Sequence, residues 1–273
     1  MSWTITPSFT QWTPALISTA LWLDAADATT LFTTNAGSTV ATNGSAVGRW
    51  NDKSGNNRHA TQATSANRPS CLTGALNGRQ GVQFTANDRW LEVVDESPFD
   101  FTSTCYVFAV ASISDGVNSN VLINKGRSTY NNNGWYCDIL PSNQALIGVT
   151  SNASVSSFDV NTSLATNTPR ILSFEANGST VRARGNGTTY QTTVASKSAW
   201  IATTNNDTLL VGAYQTSPPN SSNFEGLAHQ IIIMPSVPSF SIVEKLEGWA
   251  AHYYGLTANL PANHPYKVNP PAP

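Results

Sequence analysis

The sequence predicts an all-β, two-sheet sandwich with one C-terminal α-helix packed on it. Three observations carry this. Strand-like runs recur along the chain, most of them separated by Gly, Asn, Ser or Pro. Only one segment has helical periodicity, and it lies near the C-terminus. Charged residues make up 11% of the chain, against about a quarter in ordinary soluble domains. The polar surface therefore falls to Ser, Thr, Asn, Gln and Gly, as in extracellular β-proteins.

In chain order, residues 1–19 form an N-terminal arm with Trp3, Trp12, Pro7 and Pro14, too short for a domain. Pairing as an added strand would tie this end down. Residues 20–240 form the sandwich, with strand-like runs at 21–25, 46–50, 80–85, 89–94, 104–112, 119–124, 134–140, 144–149, 170–176, 179–184, 207–213 and 227–234. The clearest hairpin joins Ile171–Ala176 to Ser179–Arg182 through Asn177-Gly178, a pair that accepts the positive φ angles of a type I′ turn. Ile231-Ile232-Ile233 lacks alternation, so its strand should be covered on both faces.

Residues 241–273 hold the helix and a Pro-rich tail of the same domain. Ser241 and Glu244 have capping-box spacing. Val243, Leu246, Ala250 and Tyr253 form an apolar stripe, and Gly255 supplies a left-handed stop. Such a helix is not stable alone and must cover a sheet.

The end motifs carry a resemblance. Leu21-Trp22-Leu23-Asp24-Ala25 with Asp27, Trp50-Asn51-Asp52-Lys53-Ser54-Gly55-Asn56, His59-Ala60, Arg68-Pro69 and Gln80-Gly81-Val82-Gln83-Phe84 mark the N-terminal part. Lys245-Leu246-Glu247-Gly248-Trp249-Ala250, Tyr254-Gly255-Leu256, Leu260-Pro261 and His264-Pro265-Tyr266-Lys267 mark the close. Together they resemble the concanavalin A-like (laminin G-like) jelly-roll domains of tailed-bacteriophage virion proteins and some bacterial surface proteins. The resemblance implies a jelly roll. It also implies a structural virion protein, in a head decoration or fibre or associated with the tail, localised to the particle. Its partners would be other virion proteins and host surface polysaccharide, with homo-oligomerisation left open. The alternatives are a bacterial extracellular carbohydrate-binding module and, more weakly, a glycan-active enzyme.

No catalytic residue is assigned, and the reading is non-enzymatic. An E-x-D-x-E strand, which would bring two carboxyls within the roughly 5 Å needed for retaining glycosidase chemistry, does not occur. Glu92, Asp95 and Glu96 read as solvated loop carboxylates. No G-x-S-x-G elbow is present, and no two of His59, His229, His252 and His264 stand at metal-ligand spacing. Cys71, Cys105 and Cys137 read as buried free thiols. The seven N-x-[ST] sequons are what so polar a chain holds by chance. A net charge of −2 without a basic run gives nucleic acid no electrostatic footing. No apolar run is long enough to span a membrane.

Two ligand classes remain. Tyr130, Asn131, Asn132, Asn133 and Trp135 combine aromatic faces with amides, as sugar recognition requires, and Tyr214 opens a second such loop. Asp24, Asp27 and Asp52 are the calcium candidates that the resemblance implies; Asp52-Lys53-Ser54-Gly55 also reads as an Asx-turn. Gln230 stands where the resemblance expects a glutamate, which weakens any site relying on that carboxylate. No other cofactor is expected.

Overall fold

The computed structural model describes residues 11–273 apart from 86–87, 102–103, 115, 117, 127–133, 141–143, 152–153, 162–164, 178–179, 194–204 and 215–221. Its strands are β1 (Leu21–Asp24), β2 (Leu31–Phe32), β3 (Arg49–Trp50), β4 (Ala60–Thr61), β5 (Ser70–Leu76), β6 (Arg79–Phe84), β7 (Leu91–Val93), β8 (Thr104–Ile113) and β9 (Asn120–Lys125). They continue as β10 (Gly134–Leu140), β11 (Gln144–Ser151), β12 (Ser154–Asn161), β13 (Arg170–Asn177), β14 (Thr180–Gly185), β15 (Thr188–Thr193), β16 (Leu209–Val211) and β17 (Gly226–Met234). The helix α1 is Phe240–Tyr253.

Among the described residues the strands form two antiparallel sheets. The first runs β15-β14-β13-β8-β17-β6-β5, with β1 also on β17; the second runs β12-β11-β10-β9-β16-β7-β4-β3-β2. Alternation sends Val107, Ala109, Ile231 and Ile233 of the first sheet inward to meet Leu91, Val93, Trp135, Cys137, Leu209 and Val211 of the second. This is the jelly-roll sandwich that the sequence predicts.

The opposite face of the first sheet carries a second core. Tyr106, Phe108, Val110 and Ile232 pack there against Val243, Leu246, Trp249, Ala250 and Tyr254 of the C-terminal segment. β17 is therefore covered on both faces, as its unbroken Ile run predicts. A helix placed this way keeps its stripe from water, and each such side chain contributes roughly 1.5–3 kcal/mol when fully buried.

One local expectation is corrected. The capping box does not form: α1 starts at Phe240 with Ser239 as N-cap, so Glu244 sits too deep in the helix to reach back. The β13–β14 hairpin forms, with Asn177 paired to Thr180, and Gly178 of its expected Asn-Gly turn lies outside the described residues. The expected N-terminal strand falls largely on residues 1–10, outside the described residues. Residues 14–16 form a 3-10 turn, and Trp12 is buried in the helix-side core, its backbone N–H donating to Pro271 O at 3.2 Å. Gly255 takes the left-handed conformation expected of a stop (φ 69°).

Candidate functional site

The outer face of the second sheet gathers the aromatic and amide side chains. Alternation along β9, β10 and β16 sends Asn124, Tyr136 and Leu210 to this face, in register across the strands. Gly212 then turns the chain over it. Its φ of 85° suits glycine, and a Cβ there would collide with the Phe84 ring. The turn sets Tyr214 edge-on to Tyr136, with ring centroids 6.4 Å apart and planes at 84°.

The surrounding polar groups lock this floor. Asn223 Oδ1 accepts from the Tyr214 backbone N–H at 2.8 Å, and Asn124 Nδ2 donates to the Tyr214 carbonyl. Asn124 is fully buried, and its Oδ1 has no hydrogen-bond partner. Asp138 on β10 accepts from the Asn120 N–H at 2.8 Å and from the Ser119 hydroxyl, while Asn120 Oδ1 accepts from the Glu225 N–H at 3.1 Å. Trp90, Leu210 and Ala213 form an apolar shoulder on this face.

Not all of the expected glycan residues join this floor. Tyr130, Asn131, Asn132 and Asn133 lie outside the described residues. Trp135 is corrected: it is fully buried in the sandwich core, its indole N–H donates to Phe99 O at 2.8 Å, and Phe101 packs on it at 4.7 Å. It presents no face to a sugar, because the alternation that brings Tyr136 outward turns Trp135 inward. Tyr214 is in the floor. Asn124 was missed by sequence reasoning, whereas Tyr136 closes the aromatic-amide run that begins at Tyr130 and Asn223 closes the loop that Tyr214 opens.

The calcium candidates are engaged by groups of the protein itself. Asp24 and Asp27 converge on the ammonium of Lys53, at 3.0 and 2.9 Å, so a lysine already stands where a metal would. Burial raises the Asp24 pKa, outweighing the pull of Lys53. Asp27 is also pushed up by partial burial, but hydrogen bonds from Thr29 and Lys53 outweigh this and lower it. Asp52 forms the Asx-turn: Oδ1 accepts from the N–H groups of Trp22 and Ser54, and Oδ2 from the Ser54 hydroxyl and the Arg58 N–H. No group of three His, Cys, Asp or Glu placed to hold a metal occurs among the described residues.

The acidic cluster disperses. The Glu92 carboxylate accepts from the Trp90 indole at 2.9 Å, Asp95 pairs with Lys125 at 2.8 Å and Glu96 with Arg58 at 2.6 Å. These carboxylates are partnered rather than simply solvated. All three cysteines are free and buried, and burial raises the pKa of each thiol. No helix among the described residues is long and apolar enough to cross a membrane.

No protein-family model matches the sequence, and no curated protein sequence matches it. Solved structures do resemble the fold. A GH54 α-L-arabinofuranosidase soaked with a cyclic sulfate inhibitor aligns with a TM-score of 0.51 at 14% identity, over 74% of this chain and 50% of that one. Domain 4 of a GH43 extracellular arabinanase from Geobacillus stearothermophilus, in complex with arabinotriose, aligns at 0.49 and 14%, over 65% and 81%. The CBM40 of the Ruminococcus gnavus IT-sialidase, bound to α2,3 sialyllactose, aligns at 0.47 and 10%, over 59% and 92%. The chain spans about half the length of the arabinofuranosidase. At 14% identity the likeness to the arabinofuranosidase bears on fold alone, the two-sheet sandwich that the strand order shows.

Proposed function

We propose that the chain is a non-catalytic, carbohydrate-binding β-sandwich, with the sugar seated on the outer face of the second sheet. The observation that supports this is the Tyr136–Tyr214 pair beside Asn124, whose buried Oδ1 lacks a partner. Aromatic rings stack on a sugar's C–H face, and an unpartnered amide oxygen accepts from a hydroxyl. Tyr136 and Tyr214 are only 5% and 8% exposed and Asn124 is fully covered, so sugar binding here requires this face to open.

A glycan array probed with the folded protein tests this. Binding to a defined oligosaccharide is expected, with at least a tenfold loss in Tyr214→Ala protein that keeps its wild-type circular dichroism. No binding by the wild type to any glycan sinks the proposal. Reducing-sugar release from a bound polysaccharide replaces it with a glycosidase.

The sequence resemblance favours a second duty, attachment to other virion proteins of a tailed phage. Co-sedimentation with purified particles tests that setting separately.

A further inference from the structure

Lys125 ends β9 with its side chain wholly removed from solvent, next to Trp135 and Leu209 in register. Its Nζ lies 2.7 Å from Asn205 Oδ1, 3.1 Å from Asn205 O, 2.8 Å from Asp95 Oδ1 and 3.2 Å from Asp100 Oδ1. Asn205 Oδ1 also accepts the Asp207 backbone N–H at 3.0 Å. This brings together an amine nucleophile, a carboxamide electrophile, two carboxylates able to carry a proton, and a donor on the oxygen that would become negative.

The geometry points to a self-formed isopeptide bond between Lys125 and Asn205. The contact to Oδ1 puts the carboxamide carbon no further than about 3.9 Å from Nζ, since a C=O bond is about 1.23 Å. Reacting atoms in a near-attack arrangement stand about 3–3.5 Å apart. The ammonium first gives a proton to Asp95 or Asp100, because only the free amine is a nucleophile. Nζ then attacks Cγ, and the oxyanion on Oδ1 is held by the Asp207 N–H. The protonated carboxyl passes its proton to Nδ2, the other carboxylate takes the second proton that Nζ sheds as it becomes an amide nitrogen, the Cγ–Nδ2 bond breaks and ammonia leaves. One N–C bond forms and one breaks, nothing is oxidised or reduced, and no co-reactant is needed. The carboxylates themselves are poorer electrophiles than the carboxamide, because their negative charge repels the amine's lone pair.

The bond would join β9 to the segment leading into β16, 80 residues apart in sequence. It would not alter the sugar-binding floor, so this inference stands apart from the proposed function. Intact-mass spectrometry of the full chain, incubated folded at neutral pH, tests it. The expected mass is one ammonia below the sequence mass, with a tryptic map showing Lys125 and Asn205 in one branched peptide. Asn205→Ala keeps both ion pairs and is expected to restore the unreacted mass. Asp95→Asn/Asp100→Asn, checked for folding by circular dichroism, is expected to slow the loss at least tenfold. Full sequence mass in the wild type overturns the proposal. So does an ammonia loss that survives in Asn205→Ala, or a loss of water joining Lys125 to Asp95 or Asp100.

Discussion

Arg184 on β14 and Glu247 on α1 meet as a bidentate ion pair beneath the helix, with Nε–Oε1 at 2.6 Å and Nη2–Oε2 at 2.9 Å. Both are buried, and His264 of the tail adds a contact to Glu247 Oε2 at 3.2 Å. One carboxylate therefore ties a strand, the helix and the tail together. Removing one partner of such a pair leaves an uncompensated buried charge, which costs about 3–5 kcal/mol. Glu247→Ala is expected to lose that much by urea denaturation. Arg184→Met with Glu247→Leu is expected to recover most of it, because two apolar side chains leave no stranded charge. If the double variant is as unstable as the single, the pair contributes more than mutual neutralisation.

Gly248 is a place where helix propensity gives the wrong sign. In an exposed helix interior Gly→Ala gains about 1 kcal/mol. Here a Cβ would run into Cβ of Tyr266, on the tail that packs across α1. Tyr266 cannot yield without lifting the tail, so Gly248→Ala is expected to destabilise by about 1–3 kcal/mol, the range for overpacking. A thermal melt decides: a raised midpoint would mean that the tail is not held against the helix.

Much of this was legible in the sequence, for identifiable reasons. The long inner strands show themselves because both faces are apolar, as in the Ile231–Ile233 run, and α1 because its stripe is sustained over several turns. β2, β4, β5, β12 and β15 were not foreseen. β2 and β4 are only two residues long, too short to show a period. β5, β12 and β15 each lie at an end of their sheet, and their sequences, SCLTGAL, SVSSFDVN and TTYQTT, lack the apolar alternation of a central strand. The buried polar contacts were invisible for a different reason. Arg184 and Glu247 are 63 residues apart, and Lys125 and Asn205 are 80 apart, so only the fold brings them together. Tyr214 was found because an aromatic followed by a polar loop is a local signal. Asn124 was not, because an asparagine inside an apolar strand says nothing about which face it occupies.

His229 sits at the bulge where the pairing of β17 with β8 shifts, and it is fully buried with Nδ1 3.3 Å from Gln80 O. Burial lowers its pKa to about 4, against 6.5 for the free side chain, only partly offset by the Gln80 carbonyl. The unfolded chain thus binds a proton on this group at a higher pH than the folded chain does. Stability is fully present above about pH 6.5 and falls as the pH drops towards 4, by about 3 kcal/mol from this group. His229→Asn keeps a donor near Nδ1 without the titration. Its urea midpoint is expected to vary less than the wild type's between pH 6.5 and 4. Parallel curves would show that the acid sensitivity comes from elsewhere.

Lys53 decides whether the Asp24–Asp27 pair responds to calcium. Asp24 is almost fully buried, Asp27 is part-exposed, and a single ammonium bridges them. Calcium takes six to eight oxygen ligands, and admitting it here requires expelling the lysine. The wild-type melting midpoint is therefore expected to be the same in calcium and in chelator. Lys53→Met removes the bridging charge and leaves Asp24 buried without it. That variant is expected to lose about 1–3 kcal/mol, discounted because the lysine is partly solvated. It is also expected to become calcium-responsive, since two carboxylates then face one another with no cation between them. A calcium-dependent wild-type melt would mean that Lys53 swings out to admit the metal, and the ion pair would then be a closed form of a cation site.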